Sequence, residues 1–308
     1  MSVDVIIPVY KPDEKLNRLL AVLDSQTIKP RRIIIVHTGE ILSGEPDYLA
    51  KNICFRKIAK GEFDHGGSRN LGASLSDAEV LVFMTQDAVP ADEYLLEGLV
   101  SSLSANVAVA YARQLPYEDC RAVERYIREF NYPDKGERRT KADLPVRGIK
   151  TFCSSNVCAA YGKAVFHRLG GFEEKTIFNE DMLFGAKAIL GGYAVVYTAD
   201  AKVYHSHNLG LLDQFHRNFD NGVSQAEHPE VFASVSSEKE GMKLVKHCIS
   251  QMKEDRKLYL VPYFVMNCVC RYAGFFLGKR YKKLPMWVVR ACSLNKQYWD
   301  GRENNGIS

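Results

Sequence analysis

The sequence predicts an α/β fold, with a mostly parallel central sheet flanked by helices and a helical C-terminal tail. Three observations predict it. Short apolar, β-branched runs at residues 3–10, 32–36 and 80–88 have the length and composition of buried strands. Stretches of helical periodicity separate the strand signals, the alternation that right-handed crossovers between parallel strands produce. Towards the C-terminus the strand signals cease and the pattern turns helical. The expected division is an α/β domain over residues 1–227 and a basic helical region over residues 228–308.

The first strand stops at Lys11-Pro12-Asp13, and Leu16, Leu19, Leu20 and Leu23 then mark a helix. Residues 32–36 repeat the strand signal and end in His37-Thr38-Gly39, after which a short helix and a strand at 53–59 are expected. Gly61-Glu62-Phe63-Asp64-His65-Gly66-Gly67-Ser68-Arg69-Asn70-Leu71-Gly72 reads as a glycine-rich loop entering a helix, with Ser68 as its N-cap. Glycines admit close approach of a ligand to backbone, and a helix N-terminus favours phosphate, although an ordinary turn before a capped helix has the same composition. It is neither a Walker loop nor a dinucleotide fingerprint.

Residues 80–88, Val-Leu-Val-Phe-Met-Thr-Gln-Asp-Ala, form the stretch around which the rest is organised. This run, apolar on both faces, ends in Thr85-Gln86-Asp87 and sets a carboxylate where open α/β sheets bind ligands. A helix at 91–104, a strand at 107–114 and a helix at 117–130 follow. Residues 131–150 are polar and interrupted by Pro133, Gly136, Pro145 and Gly148, so they read as a mobile loop near the site or as a plain surface excursion. A strand at 152–160, a short helix at 163–169, a helix from Phe178-Asn179-Glu180-Asp181 through Leu190, and strands at 194–197 and 202–204 complete the domain. The last strand runs into His205-Ser206-His207-Asn208.

With 308 residues and 46% hydrophobic content the chain can bury a full core, which excludes a disordered or fibrous protein. The net charge of +4 hides an asymmetry: residues 239–302 carry 14 basic and four acidic side chains, leaving −6 for the remainder. Such a tail suits an anionic partner or a solvated helical face. Residues 262–278 are nearly all apolar except that Asn267, Arg271, Gly274 and Gly278 fall on one narrow stripe at i, i+4, i+7 and i+11. Lys279-Arg280-Tyr281-Lys282-Lys283 follows, so an interfacial helix with a polybasic flank fits better than a membrane span; a helix packed into the catalytic domain is the competing reading. Trp287 and Trp299 suit lipid headgroups, and the interleaving of positive charge with apolar surface argues against nucleic acid. The eight cysteines lack CxxC pairs and read as reduced thiols, not zinc ligands. The N-terminus enters a strand at once with no secretory pattern, so a cytoplasmic site is expected.

Three polar features interrupt otherwise apolar structure: Asp87, Glu180-Asp181, and His205 with His207. A carboxylate and an imidazole can hold a divalent cation against diphosphate oxygens, while a second carboxylate acts as base on a hydroxyl, chemistry suited to group transfer from a nucleotide diphosphate. Singly, each has a structural alternative, as turn cap, helix N-terminal acid or buried polar residue.

Their order decides between these readings. Ile7-Pro8-Val9-Tyr10 on a first strand, Arg69-Asn70-Leu71-Gly72 after a glycine loop, a strand ending in Asp87, then Glu180-Asp181 and a histidine together resemble the family 2 glycosyltransferases of GT-A fold over residues 3–227. Phe63-Asp64-His65-Gly66-Gly67-Ser68-Arg69-Asn70, Thr85-Gln86-Asp87-Ala88, Asn179-Glu180-Asp181 and Tyr204-His205-Ser206-His207-Asn208 are similar to the bacterial rhamnosyltransferase branch.

The resemblance implies that Pro8, Val9 and Tyr10 line the nucleotide pocket with Thr38 and Gln86, and that Arg69 approaches the base or diphosphate. Asp87 stands at the last aspartate of the metal motif, with Thr85 at the usual first acidic position, and His205 or His207 offers a further ligand for Mg²⁺ or Mn²⁺. His37-Thr38-Gly39 replaces the usual acidic residue after the second strand. Asp181 is implied as general base, and Glu180 as its neighbour or an acceptor-positioning group. The implied reaction is a single displacement with inversion from dTDP-L-rhamnose to a lipid-linked glycan, at the inner face of the cell membrane. Another nucleotide sugar, UDP-hexose or UDP-N-acetylhexosamine, shares the scaffold, and a non-catalytic nucleotide-sugar-binding partner in polysaccharide assembly is the reading from a different class.

Overall fold

Strand β1 (Val3–Val9) is buried at almost every position because it lies inside a sheet covered on both faces. The computed structural model describes residues 1–41, 52–233, 238–300 and 302. The short helix expected between Gly39 and Ile53 falls within residues 42–51, outside the described residues. After β1 come α1 (Glu14–Asp24), capped by the Asp13 carboxylate, β2 (Arg32–Thr38) and β3 (Ile53–Ile58). Next are α2 (His65–Ser74), β4 (Val80–Met84), the two-residue β5 (Val89–Pro90), α3 (Leu95–Ser101), β6 (Val107–Leu115), α4 (Ala122–Asn131), β7 (Glu137–Arg139) and α5 (Leu144–Arg147). The chain continues through β8 (Cys158–Gly162), α6 (Lys163–Arg168), α7 (Glu180–Leu190), β9 (Ala194–Tyr204), α8 (Leu211–Glu227), α9 (Pro229–Phe232), α10 (Glu238–Glu254), α11 (Val261–Gly278) and α12 (Met286–Cys292).

Two compact units result. The first comprises Met1–Asp119, Asn131–Glu174 and Glu180–Ser206; the second comprises Cys120–Phe130, Lys175–Asn179 and His207–Ser308. The division thus falls after Ser206, ahead of the expected residue 227. Glycines give the reason, because Gly222 on α8 and Gly274 and Gly278 on α11 let the two backbones approach so closely that an added methyl would collide with the carbonyls of Phe275, Phe215 and Phe219. The polar and small stripe predicted on α11 is therefore its packing face towards α8. Val123, Tyr126 and Ile127 of α4 likewise pack with Cys248, Met252 and Phe264 of α10 and α11.

The first unit holds a sheet in the order β3-β2-β1-β4-β8-β6-β9-β5, with β7 on β9. Pairs β1/β2, β2/β3, β1/β4 and β6/β9 are parallel, as the alternation predicts. Strand β8 departs from it, running antiparallel to both β4 and β6, and makes the sheet mixed. All five residues of β4 are fully buried, each apolar side chain contributing about 1.5–3 kcal/mol.

Three local expectations are corrected. Residues 131–150 fold into β7, α5 and single turns around buried Arg139, whose guanidinium donates to Tyr111 Oη at 2.6 Å and to the Cys153 carbonyl at 2.7 Å. A three-residue strand in a polar stretch leaves no periodicity to read. Helix α2 is capped by Asp64, which accepts from Gly67 N–H, and Ser68 lies inside the first turn. The two strands expected at 194–204 are one, β9, with a register shift against β6. Among the described residues the cysteines form no disulfide with one another.

Candidate functional site

One edge of the first unit's sheet gathers the polar residues. Strands β1, β2, β4, β6 and β9 run the same way, so Tyr10, Thr38, Asp87, Gln114 and His205 stand at or just beyond their carboxyl ends. Because β8 runs the other way, its start comes to that edge and brings Asn156 with it.

At the β1 end, Gln86 Oε1 accepts from Tyr10 N–H at 2.8 Å and Gln86 Nε2 donates to Tyr10 O at 3.1 Å. The Gln86 amide thus ties the ends of β1 and β4 together, leaving the Tyr10 side chain half-exposed. Val9 and Thr38 are buried, Pro8 partly so, and Gly39 turns the chain after β2 with a φ of 88° that favours glycine.

Asp87 and His205 meet on the other side of this edge, with His205 Nε2 3.6 Å from Asp87 Oδ2. The imidazole's tautomer follows from its other nitrogen. Gln114 gives its Nε2 to Tyr132 Oη at 2.7 Å and Ser155 Oγ at 2.9 Å, which turns its Oε1 to His205 Nδ1 at 3.1 Å. With the proton on Nδ1, donated to that oxygen, Nε2 would turn its lone pair towards Asp87. Two electron-rich atoms 3.6 Å apart, too long for a hydrogen bond, have the separation of neighbouring ligands around a divalent cation with bonds of about 2.0–2.6 Å. The residues present fit a metal of the Mg²⁺ or Mn²⁺ type. His207 opens the last segment of the second unit, two positions along the chain from His205. Tyr117 frames the pair: its Oη donates to the Asp87 carbonyl at 3.0 Å, and burial, then the Asp87 charge, pushes its phenol up to about 12.

The paired carboxylates open α7. This helix rests on a cluster of rings, Phe83 from β4, Tyr161 from β8, Phe166 from α6, Phe172 and its own Phe184, with centroids 4.9–5.7 Å apart. Gly185 lets the Phe152 carbonyl pass against the helix where a side chain would collide. Asp181 Oδ2 accepts from Asn156 N–H at 3.1 Å, and Oδ1 from Met182 N–H at 2.7 Å. Glu180 is buried with Arg69 Nη1 3.3 Å from its Oε1. Burial works to raise the Glu180 pKa, but the Arg69 charge, then His65 and the Asn156 amide, outweighs it and holds the carboxyl below its usual range. Asp181 is pushed up to about 7, by burial first and by the Glu180 charge second. A buried carboxyl pushed up towards neutrality is chemically suited to accept a proton from a hydroxyl.

Arg69, expected to approach the base or diphosphate, lies against Glu180 and donates to the His65 carbonyl at 2.8 Å. Sequence reasoning missed Gln114, Tyr117 and Asn156. Gln114 carries the signal that singled out Asp87, a polar residue closing an apolar strand, whereas Asn156 carries none because its position depends on the direction of β8.

The sequence model described as glycosyl transferase family 2 matches residues 4–170. The chain belongs to glycosyl transferase family 2. This family 2 transferase is similar over its whole length to two curated proteins. O-antigen chain rhamnosyltransferase RfbN of Salmonella typhimurium is 37% identical over 308 residues, spanning 97% of this chain and 96% of its own. O-antigen chain rhamnosyltransferase WbaN of Salmonella anatum is 34% identical over 307 residues, with the same coverage of 97% and 96%. Solved structures confirm the GT-A fold. The mannosyltransferase PcManGT from Pyrobaculum calidifontis, in complex with GDP-Man and Mn²⁺, superposes with a TM-score of 0.51 at 14% identity, covering 98% of this chain and 84% of its own. TarS 1-349 of S. aureus, in complex with UDP-GlcNAc, superposes with a TM-score of 0.50 at 15% identity, covering 92% of each chain. The family 2 transferase is a glycosyltransferase whose Glu180-Asp181 carboxylates and Asp87-His205 pair lie at the carboxyl ends of its sheet strands.

Proposed function

We propose that this transferase moves L-rhamnose from dTDP-L-rhamnose onto a lipid-linked glycan in O-antigen synthesis, by a single displacement with inversion. The observation that carries the reaction class is the buried Glu180-Asp181 pair, in which Arg69 3.3 Å from Glu180 favours its charged form while burial and the Glu180 charge push Asp181 up. The likeness to two O-antigen chain rhamnosyltransferases over 97% of the chain supports the sugar and the pathway.

Asp181 takes the proton of the acceptor hydroxyl as that oxygen attacks the anomeric carbon, and the glycosidic electron pair leaves with the nucleotide diphosphate. Pro8, Val9, Tyr10 and Thr38 line the donor pocket at the ends of β1 and β2, and Gln86 keeps Tyr10 in its orientation. Asp87 and His205 hold Mg²⁺ or Mn²⁺, with His207 close along the chain as a further ligand. When bound, the cation supplies charge that stabilises the departing diphosphate. Glu180 stays ionised beside the base, and the burial around it keeps competing water from the proton-accepting oxygen.

The tail supports a membrane-surface location at the inner face of the cell membrane. Among the described residues, one helical segment, Leu258–Gly278, is long and apolar enough to cross a membrane. Asn267, Gly274 and Gly278 face inward, and the opposite stripe of Val265, Val269, Tyr272 and Phe276 is exposed. The Arg280 guanidinium sits 3.6 Å from the Phe276 ring centroid and joins this stripe to the basic run that follows. An amphipathic helix with one face committed to protein and a polybasic end lies in an interface instead of crossing it.

The deciding experiment compares nucleotide sugars by thermal shift with and without Mn²⁺, then measures transfer to solubilised bacterial membrane lipids. Stabilisation by dTDP-L-rhamnose above UDP-glucose and UDP-N-acetylglucosamine is expected, together with dTDP release that needs acceptor. Preference for a UDP-sugar would reassign the donor, and donor binding without turnover would reject the enzyme reading.

A further inference from the structure

Two adjacent buried carboxylates repel, so one tends to keep its proton; which one depends on the donors each receives. At the start of α7 the donors are divided unequally. Glu180 Oε1 takes the Asn156 side-chain amide, Nδ2 donating at 3.2 Å, and also faces Arg69 Nη1 at 3.3 Å. Asp181 takes two backbone N–H groups, one on each carboxylate oxygen, leaving lone pairs for an incoming hydroxyl. Asn156 is itself fixed, because its Oδ1 accepts from Tyr161 Oη at 2.7 Å, and Tyr161 lies inside the ring cluster beneath α7. Arg69 is fixed by the His65 carbonyl. Asn156 is 2% and Arg69 6% exposed, so neither interaction is a solvated surface pair.

We infer that Arg69 and Asn156 are positioning residues that assign the permanent negative charge to Glu180 and so reserve Asp181 as the proton acceptor. The inference rests on the reading of Asp181 as general base. Neither residue need touch substrate for this role: Arg69 acts through charge, Asn156 through one amide donor that spans the gap between β8 and α7. The other titratable groups facing the pair are His65 from α2, Tyr161 from β8 and Cys153 from the turn before β8. Tyr161 and Cys153 are held neutral by burial first, and Arg69, then His65, act to lower Glu180.

The arrangement predicts opposite responses in the pH dependence of transfer. Removing the Glu180 charge relieves repulsion on Asp181, so Glu180→Gln moves the acid limb of the rate profile to lower pH. Removing Arg69 or the Asn156 amide makes the doubly ionised pair harder to form, so Arg69→Met and Asn156→Ala move the limb to higher pH, by about one unit for the lost charge and less for the amide. Arg69→Lys, which keeps the charge, leaves the limb near its original position.

The experiment is a pH profile of dTDP release from dTDP-L-rhamnose with solubilised bacterial membrane lipids, run on the full chain and these variants beside Asp181→Asn. Should Arg69→Met not fold because it strands a buried carboxylate, the double variant Arg69→Met/Glu180→Gln carries the test, with a limb between those of Glu180→Gln and the native protein, because Arg69 also lowers Asp181 directly but by less than Glu180 raises it. Limbs shifted in the stated directions support the assignment. Rates lowered at every pH with the limb unmoved would overturn it, leaving Arg69 and Asn156 as structural residues only. If Asp181→Asn still transfers, the general base reading itself fails, a separate result.

Discussion

His205 Nε2 faces Asp87 Oδ2 at 3.6 Å, and the other ring nitrogen, Nδ1, lies 3.1 Å from Gln114 Oε1, which orients the imidazole. A lone pair directed at a carboxylate is stabilised by a cation between them. Asp87→Ala and His205→Ala should therefore abolish the Mn²⁺-dependent part of donor binding, and Gln114→Leu should weaken it roughly tenfold or more by freeing the imidazole to turn. Titrating Mn²⁺ against donor-induced thermal shift measures all three. Unchanged Mn²⁺ dependence in both alanine variants would remove the metal assignment.

Asp181 keeps its carboxylate between two backbone donors, so its replacement by asparagine preserves size while deleting the base. Asp181→Asn should lower the transfer rate by roughly 10²–10⁴ and leave donor affinity near that of the parent protein. Single-turnover transfer and donor titration separate the two effects.

The native protein's pH profile follows from the same residue. A base works only when ionised, and the folded pKa of about 7 lies above the ordinary carboxylate value, so the rate should climb through pH 7 and flatten above it. The sign for stability is opposite. The folded state holds the proton over the window from about 4 to 7 in which an unfolded aspartate has lost it, so Asp181 favours the fold at the acid end and that contribution falls as pH rises. A rate that is flat from pH 6 to 8 would argue against this residue.

Asp220 on α8 is buried and accepts from Ser293 Oγ at 2.7 Å, Leu294 N–H at 3.0 Å and Asn295 N–H at 2.9 Å. These bonds bind the segment after α12 to α8. Asp220→Ala strands three donors at a cost of about 2–4 kcal/mol. A lowered melting temperature and early proteolysis beyond residue 292 are expected.

On α11 the two opposite stripes should separate stability from membrane binding. Gly274→Val inserts a side chain against the Phe215 carbonyl and should destabilise the protein by about 1–3 kcal/mol or more. Tyr272→Ser with Phe276→Ser alters exposed positions, so melting should barely move while flotation with anionic liposomes falls. Equal flotation of that double variant and the parent protein would reject the lipid-facing stripe.

Much of the fold was legible because periodicity is local. The apolar run ending in Asp87, the helix opened by Glu180 and Asp181, and the strand ending at His205 all appear near where the residue pattern puts them. The stripe of Asn267, Gly274 and Gly278 also announced a face on α11, though not that α8 would fill it.

The sequence by itself determined most element types and the order of polar residues at strand and helix ends, which follow from composition and spacing along the chain, while the likeness of its motifs to known members indicated the family. Only the tertiary structure decided that Arg69 turns to Glu180, that Asn156 joins the carboxylates, and that residues 131–150 fold around Arg139. Each of those outcomes depends on strand direction or on a partner distant in sequence: the antiparallel course of β8 carries Asn156 to the catalytic edge, and burial then gives two neighbouring carboxylates different proton affinities.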